Sequence, residues 1–294
     1  MDNSLLRRLG TVDADIVEAN PVVFRNRLYR FEYIRKGVYC NSTDNSFFRM
    51  IDVASGQTAA SFGAGYHMGC AFVCEDTVYV SCTDKWGGHG IYLFSSRDLL
   101  NWSGPELILN ESDRGIYNTS VCRSGNGFSL VYELDNPETG DQVFTMYFAY
   151  SADMIHWEKI PDAVYGKGIY CGAPMLRCFD GYYYLFHLAG CYEEGFDTMV
   201  VRSRDLVNWS SPRLVLSYSD TDRKWQIEPP ETLRKKAEQT VNINVSDLDF
   251  CDFEGKLYAT FSWGDQAGNE FLATGEADCT EKEFCLSFWQ NSNE

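Results

Sequence analysis

The amino-acid sequence predicts an all-β fold, a five-bladed β-propeller, built as a single domain over residues 1–294. Three observations predict it: a turn phrase that occurs three times, hairpin signals that recur at a near-regular step, and a high content of aromatic residues. The 18 Tyr and 19 Phe residues suit pleated sheets better than a helical bundle, because aromatic side chains are enriched in strands.

The turn phrase reads Ser-x-Asp, then Leu or Met, then two variable residues and Trp. It occupies residues 96–102, 151–157 and 203–209, and each copy follows a strand-like run. A Ser or Asp side chain at such a position accepts hydrogen bonds from nearby backbone N–H groups and holds a turn. The Trp ring then covers the turn, so we interpret the phrase as structural.

Five strand-like runs each follow a cluster of turn residues, which is the signal of a β-hairpin. Their equivalent positions are Tyr29, Tyr79, Ser129, Tyr183 and Tyr258, so the steps between them are 50, 50, 54 and 75 residues. Five such units, each with several short strands, are typical of a five-bladed propeller. The longer last step indicates an insertion between blades at about 220–241, where a short helix is predicted after two prolines.

Charge and composition exclude several classes of partner. The formal net charge of −17 and the pI of about 4.6 argue against nucleic acid and against an anionic membrane surface. No segment has the length of a membrane span and the first residues show no apolar signal core, so we expect a cytoplasmic protein, with a removed leader as the alternative. The 11 cysteines lack metal-ligand spacing, so we expect free thiols and no resident cofactor or metal.

The strand before each hairpin turn is expected to line the central channel of the propeller. Eleven residues before the equivalent positions stand Glu18, Met68, Asn118, Gly172 and Asp247. Nine residues before them stand Asn20, Cys70, Ser120, Pro174 and Asp249. Residues two apart lie on one face of a strand, and the first and last blades become neighbours when a ring closes. Glu18 and Asp247 are therefore predicted to meet at one end of the channel.

Carboxylates that converge in a concave site are typical of acid–base chemistry. Glu133, at the end of a strand, and Glu194, in a polar loop, are further candidates for the proton donor. The side chains predicted to bind substrate are Asn20, His67, Asn118, Asp249, Trp86 and Trp263. The alternative is structural: buried polar groups must be paired, so they would tie the blades together, and the Trp rings would pack loops.

The repeated turn phrase, the five-fold period and the acids on inner strands resemble the five-bladed propeller glycoside hydrolases, families 43 and 32 and their relatives. The resemblance covers residues 15–289. It implies a base or nucleophile on the first inner strand, a second acid that orients, and a Glu on a later blade as general acid. In the matching segment Asn20 stands before Pro21 in place of the usual Asp. Either Glu18 takes over the base role or the chemistry has moved.

The sequence therefore predicts a glycosidase that acts on an oligosaccharide or glycoside, with Glu18 and Asp247 as base and orienter and Glu133 or Glu194 as acid. Asn20 motivates an alternative, a non-catalytic propeller that binds a glycan or a protein partner. A glycoside phosphorylase is a third option, which needs a basic phosphate pocket. A divalent cation in the channel could take oxygen ligands from Asp247 and Asp249, although no calcium-loop spacing is present.

Overall fold

The computed structural model describes residues 5–35, 46–135 and 144–290, and these residues form antiparallel β-structure with two short α-helices. The strands in chain order begin with β1 (Arg7–Ala14), β2 (Ala19–Phe24), β3 (Arg27–Ile34), β4 (Phe47–Asp52), β5 (Gln57–Phe62), β6 (His67–Cys74), β7 (Thr77–Thr83), β8 (Gly90–Ser96), β9 (Ser103–Asn110) and β10 (Ile116–Ser124). They continue with β11 (Gly127–Leu134), β12 (Thr145–Ser151), β13 (Trp157–Tyr165), β14 (Cys171–Phe179), β15 (Tyr182–Cys191), β16 (Gly195–Ser203), β17 (Arg213–Leu216), β18 (Asn244–Phe253), β19 (Lys256–Gly264) and β20 (Glu270–Ala277). The helices are α1 (Glu231–Gln239) and α2 (Glu281–Ser287).

The strands are arranged in antiparallel sets of four. Strands β2–β5, β6–β9 and β10–β13 form three separate four-stranded sheets. The remaining eight strands form one sheet, in which β14–β17 and β18–β20 with β1 are joined by a single parallel pair, Phe196 with Asn244. The first strands β2, β6, β10, β14 and β18 contact one another in this order, and β18 also contacts β2. The all-β prediction is confirmed, and the four-stranded sets are the units that a propeller requires.

The core lies between the faces of neighbouring sheets. Phe31 and Phe48 of the first sheet pack with Val78 and Val80 of the second, and all four side chains are fully buried. Burial of each such side chain stabilises the fold by roughly 1.5–3 kcal/mol. This packing fixes each sheet against the next, so the inner strands have little freedom to shift.

The three turn phrases are structural, as predicted. In the first copy Ser96 Oγ accepts the backbone N–H of Leu99 at 2.9 Å, and Asp98 Oδ1 accepts those of the next two residues. Trp102 Nε1 donates to the carbonyl oxygen of Leu99 at 3.0 Å, and its ring stacks on Phe62 of the preceding sheet at 3.5 Å. The other two copies repeat these hydrogen bonds. Each phrase therefore ends one strand and anchors its sheet to a neighbour.

The predicted insertion holds the expected helix, α1, which begins directly after Pro230. The insertion is tied to β1, because Thr11 N–H donates to Lys224 O at 2.7 Å and Gln226 N–H donates to Thr11 O at 2.9 Å. Ala237 of α1 is buried in the apolar cluster of the last strands. Neither α1 nor α2 has the length and apolar character that a membrane-crossing helix needs.

Candidate active site

The five aligned inner-strand positions come together at one end of the inner strands. Their side chains or backbone line a single cavity of about 420 Å³, and these residues are Glu18, Met68, Asn118, Gly172 and Asp247. In β6, β10, β14 and β18 the strand register shifts at this end. Met68, Ala173 and Asp247 have positive φ angles of 51–53° at the shift. Such strained backbone is found where a fold aims groups into a functional site.

Glu133 reaches the cavity from β11 and is almost fully buried. Its Oε2 accepts the backbone N–H of Asn118 at 3.1 Å, and its Oε1 accepts that of Ala173 in the neighbouring sheet. Burial raises the pKa of Glu133 to about 8 despite these two donors, and the charges of Asp247 and Glu18 add to the increase. Glu133 therefore carries a proton at pH 7.

Asp247 faces the same cavity from β18. Ser246 Oγ donates to its Oδ2 at 2.6 Å, and Ser262 Oγ donates to the same oxygen at 3.4 Å. Burial first, and then the charge of Glu18, raise the pKa of Asp247 well above its usual range. The carboxyl group of Asp247 is thus oriented by two hydroxyls and can take up a proton near neutral pH.

Glu18 forms an ion pair with Arg35, a residue that the sequence analysis missed. Arg35 Nη1 donates to Glu18 Oε2 at 2.5 Å, and both side chains are nearly buried. The guanidinium lies over the Tyr33 ring at 4.7 Å and over the Trp86 ring at 5.3 Å. Among the described residues that line the cavity, Arg35 is the one with a basic side chain.

Glu270 is a fourth acid in the cavity and was also missed. It opens β20, and its Oε1 accepts the backbone N–H of Gln266 at 2.7 Å. Burial raises the pKa of Glu270 to about 8, and the charges of Asp265 and Asp247 contribute to this increase. The available signal was a Glu directly before the apolar run Phe271-Leu272-Ala273, since Glu133 likewise adjoins an apolar run near the end of β11.

An arc of aromatic rings forms one wall of the cavity. Successive rings meet edge to face with centroids 5.1–6.1 Å apart, and the members are Trp86, Tyr117, Phe144 and Tyr170. Tyr192 continues the wall from the loop after β15 and is 67% exposed. Trp86, a residue predicted to bind substrate, lines the cavity as part of this arc. Aromatic faces beside hydrogen-bonding carboxyl groups suit a ligand with both apolar and hydroxylated surfaces.

Asn20 and Asp249, which were predicted to bind substrate, line a second cavity and not the cavity that holds Glu18 and Asp247. Asn20 bonds the backbone of Ala71 in the next sheet twice, through Nδ2 to the carbonyl at 2.8 Å and through Oδ1 from the N–H at 3.0 Å. Asp249 Oδ1 pairs with Arg177 Nη2 at 2.6 Å beside this second cavity, which has a volume of about 320 Å³. Both residues therefore tie sheets together and are absent from the wall of the main cavity.

The structure also moves three other predicted residues away from the site. His67 is fully buried and bonded to Tyr33, because it stands one residue before Met68 and so points to the other face of β6. Glu194 sits in an exposed turn outside the cavity lining. Trp263 is fully buried, where it stacks on Phe271 at 4.4 Å and donates to Thr11 Oγ1 at 2.8 Å.

The two acids predicted as possible ligands of a divalent cation, Asp247 and Asp249, are already engaged with other side chains. Asp249 is paired with Arg177, and Asp247 accepts two serine hydroxyls. Across residues 5–35, 46–135 and 144–290, no group of three or more His, Cys, Asp or Glu side chains is arranged to hold a metal ion.

No protein-family model and no curated protein sequence matches this chain. Solved structures match its fold. A thermostable family-43 glycoside hydrolase has a TM-score of 0.62 at 12% identity, with 91% of each chain covered. The α-L-arabinofuranosidase from Podospora anserina, in complex with cellotriose, has a TM-score of 0.62 at 10% identity, with 92% of this chain and 93% of that chain covered.

A third match is the xylan β-1,4-xylosidase from Bacillus halodurans C-125, with a TM-score of 0.59 at 12% identity. The matched region covers 94% of this chain and 55% of the longer xylosidase chain. The chain thus has the fold of β-propeller glycoside hydrolases and is divergent from them in sequence. The family resemblance that the sequence suggested is confirmed at the level of the fold.

Proposed function

We propose that this protein is a glycoside hydrolase, a single domain whose five sets of strands close into a five-bladed propeller. The cyclic contacts of β2, β6, β10, β14 and β18 support this closure, as does the fold shared with glycoside hydrolases. The central cavity would receive the sugar ring beside the glycosidic bond that is cleaved.

The observation that carries the proposal is a pair of buried acids, Glu133 and Asp247, that line one cavity and whose pKa values are both raised. Glu133 is the general acid, because burial raises its pKa to about 8 and leaves it protonated at neutral pH. It gives that proton to the leaving oxygen as the bond to the anomeric carbon breaks. Asp247 is the base that activates water, since its raised pKa lies near the operating pH. Glu18, fixed by Arg35, orients the site and places a carboxylate beside the positive charge of the transition state.

The ligand class follows from the wall of the cavity. The aromatic arc offers faces for the C–H surface of a sugar, and the carboxyl groups can accept its hydroxyl hydrogens. With Arg35 already paired, the described lining offers no free cation for inorganic phosphate. A neutral oligosaccharide or glycoside therefore fits better than the phosphorolysis option.

The test is turnover of a panel of aryl pentosides, aryl hexosides and plant-type oligosaccharides by the wild-type protein and by Glu133→Gln. We expect at least one substrate to be hydrolysed by the wild type and to be turned over much more slowly by the variant. Nuclear magnetic resonance (NMR) spectra of the first product would show retention or inversion at the anomeric carbon. The outcome depends on the separation of the carboxyl groups, about 5 Å for retention and about 6.5–9.5 Å for inversion.

A non-catalytic glycan-binding propeller is the second candidate. The observation that favours it is Asn20, which stands where the resembled enzymes carry an Asp and is fully engaged with Ala71. Saturable binding of an oligosaccharide by calorimetry, with no product after long incubation, would select this function. A hydrolysis product that disappears in Glu133→Gln would exclude it.

A further inference from the structure

We propose that His67 and Tyr33 form a buried chain of positioning residues that holds Arg35 against Glu18. This chain fixes the orientation of the Glu18 carboxylate in the cavity. The proposal rests on the proposed glycosidase function for its kinetic consequences. Neither residue touches the substrate cavity, so their role would be to position and not to react.

The chain is continuous from β6 to the cavity. Ser46 Oγ lies 3.3 Å from His67 Nε2, and the Tyr33 hydroxyl hydrogen-bonds to His67 Nδ1. The guanidinium of Arg35 lies over the Tyr33 ring at 4.7 Å and interacts with its hydroxyl. Arg35 then pairs with Glu18, whose carbonyl oxygen also accepts the backbone N–H of Tyr33 at 3.1 Å.

The surroundings of the chain allow one direction for its hydrogen bonds. Burial and then the charge of Arg35 lower the pKa of His67, with Asp84 acting in the opposite direction, so the ring is neutral and has one N–H. Tyr33 must use its lone pairs toward the cationic Arg35, which has no acceptor, so its O–H donates to His67 Nδ1. The remaining His67 proton is then on Nε2 and donates to Ser46 Oγ. In this tautomer every member of the chain has a partner of the right kind.

The side chains around Tyr33 and His67 are tightly packed. Tyr33 and His67 are 1% and 0% exposed, and Phe48 packs edge to face against Tyr33 at 6.0 Å. A Cβ atom added at Gly69 would lie 2.6 Å from the Phe48 ring and 2.7 Å from that of Phe31, so the backbone is close against this wall. Loss of the acceptor at His67 would therefore not be repaired by a rearranged side chain, and Arg35 would lose its fixed support.

The first test needs no substrate. The protein has four His residues, so their imidazole nitrogen resonances can be assigned by substitution. We expect the NMR spectra at pH 7.5 to show His67 neutral with its proton on Nε2, and Tyr33→Phe to shift the Nδ1 resonance. A proton on Nδ1, or a charged His67 at this pH, would overturn the proposal.

The second test compares three histidine variants on a substrate that the wild type hydrolyses. His67→Leu removes the acceptor and is expected to lower kcat by roughly 10²-fold with little change in KM, the effect of a small displacement of a reacting group. His67→Asn keeps an acceptor oxygen at the place of Nδ1 and should restore kcat to within a few-fold of wild type.

The matched control is His187→Leu. His187 is also a buried histidine bonded to a tyrosine, with Tyr165 Oη 3.0 Å from its Nε2, but it does not line the cavity or contact Glu18 or Arg35. The kcat of His187→Leu per folded molecule should match that of the wild type. Equal losses in His67→Leu and His187→Leu, or no rescue by His67→Asn, would show a merely structural role and overturn the proposal. If the wild type hydrolyses nothing, the proposed function fails while the NMR test still decides the chain.

Discussion

Glu18 and Asp247 line the same cavity, one from the residue before the first inner strand, β2, and the other from the last inner strand, β18. They are close enough that the charge of Glu18 is, after burial, the main cause of the raised pKa of Asp247. Two carboxyl groups brought together from opposite ends of the sequence cannot be explained by local folding. Their meeting is a consequence of the cyclic contact between β2 and β18.

Replacement of Glu133 by Gln should lower kcat/KM by roughly 10²- to 10⁴-fold, the usual contribution of a general acid. The wild-type rate should fall as the pH rises through about 8, where Glu133 loses its proton, and this limb should vanish in Glu133→Gln. Initial rates from pH 5 to 9.5 on one substrate provide the measurement.

The control for that experiment is Glu194→Gln. Glu194 lies in an exposed turn outside the cavity, so its variant should keep the wild-type rate and pH profile. A loss of rate in Glu194→Gln as large as that in Glu133→Gln would favour Glu194 as the general acid. It would refute the assignment of Glu133, which was made from burial.

Replacement of Glu18 by Gln should reduce both turnover and stability. The change leaves the Arg35 guanidinium buried without its countercharge, which costs about 3–5 kcal/mol when one partner of a buried pair is removed. Thermal unfolding should show the loss, and adding Arg35→Met to Glu18→Gln should recover most of it without recovering turnover. Stability that does not return in the double variant would contradict the ion pair as the cause.

The repeat in the sequence predicted most of the fold and part of the candidate site. The step between equivalent positions placed Glu18, Asn118 and Asp247 correctly, because an inner strand in each sheet starts at the same distance before its hairpin turn. Strand alternation also explains why His67 does not line the cavity: it is one residue from the aligned position and its side chain bonds Tyr33 instead.

The remaining site residues depend on contacts that no local pattern encodes. Arg35 and Glu270 reach the cavity from the end of β3 and the start of β20, and only the packing of the sheets shows that they meet Glu18 and Asp247. Asp249 stands two residues after Asp247, but the register of β18 shifts between Ser246 and Asp249, and Asp249 borders the second cavity. The repeat in the sequence gives equivalent strand positions but does not show which cavity each side chain lines.

Two aromatic replacements should separate ligand binding from packing. Tyr192 lines the cavity and is largely exposed, so Tyr192→Ala should weaken ligand binding roughly 3- to 10-fold, the range of a ring contact, with little change in Tm. Trp263→Phe removes a buried hydrogen bond to Thr11 and should lower stability by about 1–3 kcal/mol with unchanged Kd for the ligand. Calorimetric binding and thermal unfolding of both variants give the comparison; a change in Kd confined to Trp263→Phe would reverse these assignments.

Replacement of Glu270 by Gln should stabilise the protein more at high pH than at low pH. The pKa of Glu270 is about 8 in the folded state and near 4.5 when unfolded, so the folded state binds the extra proton between these values. By linkage, wild-type stability falls as the pH rises from about 4.5 to 8, because the folded state must then bury a charge that the unfolded state exposes to water. Gln mimics the protonated acid, since its Oε1 can still accept the N–H of Gln266; its Nε2 takes the place of Oε2, to which Asn244 Nδ2 donates at 3.5 Å in the wild type, so only that long hydrogen bond is lost. The difference in Tm between Glu270→Gln and wild type should therefore be small at pH 5 and grow by several degrees at pH 8.5, at roughly 2–4 °C per kcal/mol for a domain of this size. Thermal unfolding at the two pH values measures it, and a difference that stays constant or shrinks as the pH rises would show that Glu270 is ionised in the folded protein at neutral pH.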